Sequence, residues 1–189
     1  PIEKLNKLTK NNHQGIVATI SPISTLDING LEGKLKNTKS LLILVLDGIT
    51  DTKNFGAIIR SAECFDVDLI IIPKTGSSPI NGETIKSSSG AIFNVPICKV
   101  NHIKDAIFLL KENEINLIGT SDKGLSSLYE HKFNSRTAII IGSEGQGVNK
   151  SVLKLCDQVV NIVMQGKISS LNVSVATGIF LSEFRRQLN

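Results

Sequence analysis

The sequence predicts an α/β protein with a mainly parallel sheet covered by helices on both faces. Leu41–Leu46 (LLILVL) is a six-residue run with no polar member, as a strand between two helical layers requires. Shorter, mainly apolar runs recur at Leu69–Ile72, Ile97–Val100, Leu117–Thr120, Ala138–Gly142 and Gln158–Ile162. Helically spaced segments alternate with them, which is the rhythm of strand–helix–strand units rather than of hairpins.

Composition bounds the answer. A chain of 189 residues, 41% hydrophobic and 20% charged, is long enough for one sizeable core and too apolar to stay disordered. The longest apolar run is the six residues Leu41–Leu46, far short of a membrane-spanning helix. Cys64, Cys98 and Cys156 are odd in number and widely spaced, which fits reduced thiols in a cytoplasmic protein. His13, His102 and His131 are equally scattered, so no metal site is expected. The net charge of +4 suits an acidic partner such as nucleic acid, although a lysine excess of this size is common. Only Arg60, Arg136, Arg185 and Arg186 are arginines among 21 basic residues. An arginine in this chain is therefore expected where planar geometry or permanent charge is needed.

Taken in order, Pro1–Asn12 is polar with a weak helical pattern (Ile2, Leu5, Leu8) and reads as a linker or arm. His13–Ile20 (HQGIVATI) reads as a short strand, and Leu26–Lys39 as a charged segment broken by Gly30 and Gly33. A polar loop, Asp47–Lys53, leads to a helix over Phe55–Phe65, with Phe55, Ile58, Ile59, Ala62 and Phe65 at helical spacing and Asn54 suited to cap it. Further helices are expected over Gly82–Ser88, Ile103–Lys111 and Asn149–Leu155, with a loop through Tyr129 before the strand at Ala138. The stretch Ile162–Ala176 passes through a polar turn at Gly166 and enters a segment apolar or small on nearly every face, as in a helix buried all round. Val173, Val175, Thr177 and Ile179 would equally suit a strand. The length through Leu188 favours a helix.

Three polar stretches follow strand candidates: the glycine-containing Asp47–Arg60 (DGITDTKNFGAIIR) and Gly142–Gly147 (GSEGQG), and, after the turn at Gly166, Ser169–Asn172 (SSLN). In an open parallel sheet, ligands bind beyond the carboxyl ends of the strands. GSEGQG has the order G-x-x-G-x-G, so it is neither a dinucleotide fingerprint nor a P-loop. No G-x-S-x-G occurs and no histidine follows His131, which disfavours a serine hydrolase. Each stretch also has a plain reading: a helix cap with a surface arginine, a strand-to-helix turn, a polar helix start.

Together, NFGAIIRSA, IIIGSEGQGV and ISSLNVSVATG resemble, in order and spacing, the three motifs of the SpoU (TrmH-type) RNA 2′-O-methyltransferases. HQGI and the tail VSVATGIFLSEFRRQ are similar to the bacterial branch acting on guanosine of large-subunit (23S) rRNA. The resemblance covers about residues 13 to 188. It implies a SPOUT-type fold whose C-terminal segment threads a loop as a trefoil knot, which general rules of chain topology disfavour. It further implies S-adenosyl-L-methionine (S-adenosylmethionine) held bent in the knot, an RNA substrate and a homodimer. Carried over by position, Gly142, Ile162 and Leu171 contact the cofactor, largely by backbone, with Thr120 nearby. Asn54, Arg60, Glu144, Ser170 and Asn172 match catalytic and substrate-positioning residues. The branch commonly carries a small N-terminal RNA-binding domain. Residues 1–12 are therefore expected to be a linker or a remnant of it, and 13–189 the catalytic domain.

The implied chemistry places the difficulty on the nucleophile, since a sulfonium is a good leaving group and a ribose hydroxyl is a poor attacker. The counterpart of Arg60 has been proposed in the family as the base. A guanidinium with pKa above ~12 stays charged, so Arg60 is better read as an electrostatic clamp on the hydroxyl and a phosphate. Ser170 and Asn172 would orient the hydroxyl and the cofactor loop, and Glu144 would orient Arg60 or Asn54. Other readings are a tRNA ribose target, a silent RNA-binding module and a nucleotide-dependent oxidoreductase. Retention of all three motifs counts against the silent module, and the missing G-x-G-x-x-G against the oxidoreductase.

Overall fold

Alternate residues of each central strand enter two different cores, so the sheet has no solvent face. Leu42, Leu44 and Leu46 pack with Phe55, Ile58, Ile59, Phe180, Leu181 and Phe184. Leu41, Ile43 and Val45 pack on the opposite side with Leu31, Leu35, Ala106, Ile107, Leu110 and Val152. Burying one such Leu or Ile contributes roughly 1.5–3 kcal/mol, which is why an unbroken apolar run is favoured at this place and nowhere at the surface.

The computed structural model describes residues 2–10, 12–36 and 38–188. Pro1 and Asn11 of the expected linker, Asn37 of the Leu26–Lys39 segment, and Asn189 lie outside the described residues. The elements are α1 (Ile2–Leu8), α2 (Ile28–Leu35), β1 (Leu41–Asp47), α3 (Thr52–Cys64), β2 (Leu69–Pro73), α4 (Gly82–Ser87), β3 (Ile97–Val100), α5 (Ile103–Glu112), β4 (Asn116–Thr120), β5 (Ser126–Ser127), β6 (Arg136–Gly142), α6 (Lys150–Leu153), β7 (Gln158–Asn161) and α7 (Val173–Leu188). The strand order is β3-β2-β1-β6-β4-β7-β5, and every pairing is parallel. Helices α3 and α7 cover one face and α2, α5 and α6 the other. The α/β fold with its parallel sheet and two-sided helical cover is the one expected.

Several local expectations need correction. His13–Ile20 forms no strand: a turn at Gln14 and Gly15 opens it, and Ile16 and Ile20 stay exposed. The β3 edge that could have received it is occupied by Leu26, whose N–H donates to Ile97 O and whose carbonyl accepts Lys99 N–H, both at 2.8 Å. Helix α2 runs through Gly30 and Gly33 unbroken, because the Asp27 side chain caps it and Leu31 and Leu35 are anchored in the core. Helix α3 begins before Asn54, and its cap is Asp51, whose side chain accepts the Asn54 N–H at 2.7 Å. The short strand β5 inside the Tyr129 loop has only two residues and carries no periodic signal. Helix α7 is not buried all round within the chain: Val173, Thr177, Phe180, Leu181, Glu183 and Phe184 are covered, whereas Val175 is half exposed. Among the described residues, no helix is long and apolar enough to cross a membrane, and no group of three or more metal-binding side chains is found.

The C-terminal helix is fastened by charged groups. Arg185 donates to the carbonyl oxygens of Phe65 and Asp66 just past the end of α3. The buried Glu183 carboxylate accepts Arg186 Nε and Nη2, each at 2.7 Å, and Gln187 Nε2 at 2.8 Å. Hydrogen bonds from Arg186 and then Gln187 hold this carboxyl at about 2, below its ordinary 4.5. A folded-state value below the unfolded one means stabilisation that is complete above the unfolded value and lost as pH falls through the folded one. Stability to urea should therefore decline between pH 4.5 and about 2, with a shallower decline in Glu183→Gln. Parallel acid titrations of the two proteins followed by circular dichroism check this, and identical curves would refute it.

Candidate active site

The strand order dictates where the three polar stretches meet. Strands β1 and β6 are neighbours in register, with Asp47 beside Gly142 at their carboxyl ends. Asn54 follows β1 and Glu144 follows β6, so both project beyond the same edge. On the far side of β6 lie β4 and β7, with Gly119 beside Ile140 and Thr120 beside Val160. The ends of β6, β4 and β7 thus lie side by side in that order, with Gly142 and Thr120 at their strand ends and Ile162 just past the end of β7 on the same edge of the sheet.

After β7 the chain does not stop at this side. Residues 162–172 carry it back toward the centre of the sheet, where α7 packs with α3. Asn172 marks the arrival. Its Nδ2 donates to Asn54 Oδ1 at 2.9 Å and to Glu144 Oε1 at 2.8 Å. Its Oδ1 accepts the Ser174 N–H at 2.9 Å and the Ser174 hydroxyl at 2.6 Å, while its carbonyl accepts the Ala176 N–H at 3.0 Å. Asn172 therefore caps α7 and ties together one residue from each of the three stretches.

The loop after β6 is shaped by its glycines. A Cβ on Gly142 would lie 1.9 Å from Gly147 C and Val148 N, so only glycine lets the loop fold back over the strand end. Gly145 and Gly147 take left-handed backbone angles, and Gly147 N–H closes the turn on Ser143 O at 2.9 Å. Gly142 is thus closely approached by the loop's own backbone. Asp47 braces the turn from β1 by accepting the Asn149 N–H at 2.9 Å.

Of the expected site residues, Asn54, Glu144 and Asn172 are in direct contact. Thr120 and Gly142 lie along the strand ends, with the Thr120 hydroxyl donating to Ile140 O at 2.9 Å. Ile162 is half-buried against the core; Ser170 and Leu171 are exposed on the returning loop, next to Asn172. Arg60 is not brought into the cluster. It lies six residues along α3 from Asn54, about 9 Å farther along the axis and about 120° round it, and it is exposed. Glu144 accordingly orients neither Arg60 nor Asn54 directly, and reaches Asn54 only through Asn172.

Sequence reasoning missed Ser174, Asp47 and Asn161. The Asn-x-Ser spacing at a helix start was the available signal for Ser174. Asn161 ends β7, donating from Nδ2 to Gly124 O at 2.7 Å, while its buried Oδ1 has no partner among the described residues.

A two-sided parallel sheet with its polar cluster and backbone row beyond the strand ends defines an α/β protein that holds a small molecule at that edge. Residues 41–182 match the model of the SpoU rRNA Methylase family. The chain is 38% identical over 175 residues to the 23S rRNA (guanosine-2'-O-)-methyltransferase RlmB of Escherichia coli (strain K12), covering 93% of this chain and 72% of that protein. It is 39% identical over 176 residues to the protein of the same name from Vibrio vulnificus, covering 93% and 71%. The SpoU methyltransferase AviRb from Streptomyces viridochromogenes, in complex with the cofactor AdoMet, superposes with TM-score 0.78 at 26% identity, over 87% of this chain and 66% of that one. An AdoMet-bound rRNA methyltransferase from Sinorhizobium meliloti gives 0.77 at 26% identity, over 84% and 60%. The chain spans less than two thirds of these two solved chains. The chain belongs to the SpoU rRNA methylase family.

Asn172→Ala removes a helix cap and the only bridge between Asn54 and Glu144 among the described residues. We expect it to lower unfolding free energy by about 0.5–2 kcal/mol. It should also speed amide exchange selectively in the 143–147 and 162–172 loops. Denaturant unfolding and hydrogen-exchange mass spectrometry measure the two effects; unchanged exchange in both loops would contradict the bridging role.

Proposed function

We propose that this protein transfers the methyl group of S-adenosylmethionine to a ribose 2′-hydroxyl in RNA, at a guanosine of large-subunit rRNA in the cytoplasm. One observation carries the reading in this family: Asn54, Glu144 and Asn172, from three stretches far apart in sequence, converge beside an open backbone row.

The row suits this cofactor. Thr120, Gly142, Ile162 and Leu171 offer backbone groups and apolar surface without a charged side chain, which fits an adenosine and a positively charged sulfur better than a phosphate. When bound, the cofactor supplies an electrophilic methyl and a neutral leaving group. The chain must do the rest: hold the ribose oxygen in line with that methyl, exclude water and manage the hydroxyl proton. Asn54 faces the ribose, Asn172 fixes Asn54 and Glu144 relative to each other, and Ser170 lines the approach from the returning loop.

Arg60 serves as the electrostatic clamp. The other three arginines are committed to the fold: Arg136 to Leu35, Thr38 and Asn113 carbonyls, Arg185 to Phe65 and Asp66, Arg186 to Glu183. Arg60 makes no side-chain hydrogen bond or ion pair among the described residues. A permanently charged, exposed donor on the helix that carries Asn54 is suited to a phosphate of bound RNA. The segment 1–12, in whose helix α1 no residue is buried, serves as a linker. The SpoU chain is read as knotted, with residues 162–172 threaded on their way from β7 to the sheet centre. The exposed apolar surface of Val163, Met164, Ile168, Leu171 and Val175 supports a homodimer formed next to the site.

The reading is tested by incubating the protein with S-adenosylmethionine and unmodified large-subunit rRNA, then mapping products by mass spectrometry. A 2′-O-methylguanosine at one position is expected; methylation of a base, or none, would overturn it. Light scattering should give the mass of two chains at micromolar concentration. Arg60→Lys should keep measurable transfer, slower by about 10–100-fold, and Arg60→Ala should lose about 10²–10³ or more in single-turnover rate. Cofactor heats should be unchanged in both variants. Equal loss in Lys and Ala would show that charge alone is insufficient.

A further inference from the structure

We propose that Glu144 is the acceptor of the ribose 2′-hydroxyl proton, through Oε2, the carboxylate oxygen that the Asn54–Glu144–Asn172 cluster leaves uncommitted. The inference rests on the function proposed above and adds the base to it.

Asn172 has two amide hydrogens, and both are taken, one by Asn54 Oδ1 and one by Glu144 Oε1. Its Oδ1 is occupied twice, by the N–H and the hydroxyl of Ser174. Asn172 has nothing left for a substrate, so it is a positioning residue. Asn54 has Oδ1 engaged and Nδ2 without a side-chain partner, and Glu144 has Oε1 engaged and Oε2 without one. Both residues carry solvent-accessible surface. The cluster therefore presents one amide donor and one carboxylate acceptor side by side. A 2′-hydroxyl is the complement: Asn54 Nδ2 donates to one lone pair, Glu144 Oε2 accepts the proton, and the second lone pair is left to attack.

Among the described residues, no other basic group is hydrogen-bonded into the cluster. Amides and hydroxyls do not take a proton at neutral pH. Asp47 and Asp51 each accept a backbone N–H, of Asn149 and Asn54 respectively, and neither is bonded to Asn172, which holds Glu144 and the Asn54 side chain together. His13 bonds Asn6 in the N-terminal arm, and His131 is buried against Phe133. Arg60 is cationic and lies about 9 Å along α3 from Asn54.

The step balances with these groups alone. The ribose oxygen gives an electron pair to the methyl carbon, the carbon–sulfur pair stays with sulfur, and the hydroxyl proton passes to Glu144 Oε2 and then to water. A carboxylate is strong enough, because the hydroxyl becomes far more acidic as its oxygen bonds to carbon. Asn172 and Ser174 keep Oε2 aimed by fixing Oε1.

Glu144→Gln separates this role from a merely structural one, since a glutamine carbonyl still accepts the Asn172 hydrogen. We expect kcat to fall by about 10²–10⁴ with the acidic limb of the rate–pH profile abolished. KM for RNA and the calorimetric affinities for S-adenosylmethionine should change less than about threefold. In wild-type protein labelled with 13C-carboxyl glutamate, the Glu144 signal should shift on adding an rRNA fragment with ribose at the mapped target. It should stay in place with 2′-deoxyribose there. A Gln variant retaining a third or more of kcat, or retaining the acidic limb, would overturn the assignment, as would a signal indifferent to the 2′-hydroxyl. Should the wild type fail to methylate ribose at all, the proposed function fails instead, and the two failures are told apart by the wild-type product alone.

Discussion

A single amide nitrogen holds the functional edge of this protein together. Asn172 Nδ2 reaches a residue 118 positions earlier and another 28 positions earlier, and it can do so only if the chain returns from β7 to the centre of the sheet. Everything around the edge serves that return. The strand order puts β4 and β7 outside β6, so residues 162–172 have to cross the carboxyl ends of two strands. Gly142 lets the loop that follows it fold back over the strand end, and Arg185 pins the far end of α7 beside α3. Rigid elements thus deliver polar side chains to a place where loops alone would leave them loose.

The layers of the sheet were readable because burial on both sides imposes a simple composition. LLILVL is what a strand covered on both faces requires, and the neighbouring strands are mainly apolar too. The cluster was readable only as three separate stretches. Nothing in the local sequence says that Asn54 faces Asn172 rather than capping its own helix. That choice is made by Asp51, three residues earlier, which takes the cap and frees the Asn54 side chain. Arg60 shows the opposite case. Its scarcity as a residue type was visible, but its distance from Asn54 follows from helical geometry and separates it from the cluster it was grouped with.

Errors elsewhere share one cause, the dependence of local structure on distant partners. His13–Ile20 has a strand-like composition and no free edge to join, since Leu26 already lies along β3. Helix α2 contains two glycines and forms nonetheless, because Leu31 and Leu35 are fully covered by the sheet and α5. Propensity predicts what a segment would do alone, and in both places burial or its absence outweighs it.

The pairing of β1 with β6 has a consequence for how the chain reaches this state. Each β1 residue sits beside a partner 95 positions later, from Leu41 with Arg136 to Asp47 with Gly142. During synthesis the most apolar strand of the protein therefore emerges long before its neighbour exists. Until then β1 can pair only with β2, leaving one edge of LLILVL open to any other extended segment. Folding dominated by such distant contacts is slow, and the unpaired edge is where self-association of the nascent chain would begin. The arrangement that makes the centre of the sheet its most stable part in the finished protein makes it the most vulnerable part of the unfinished one.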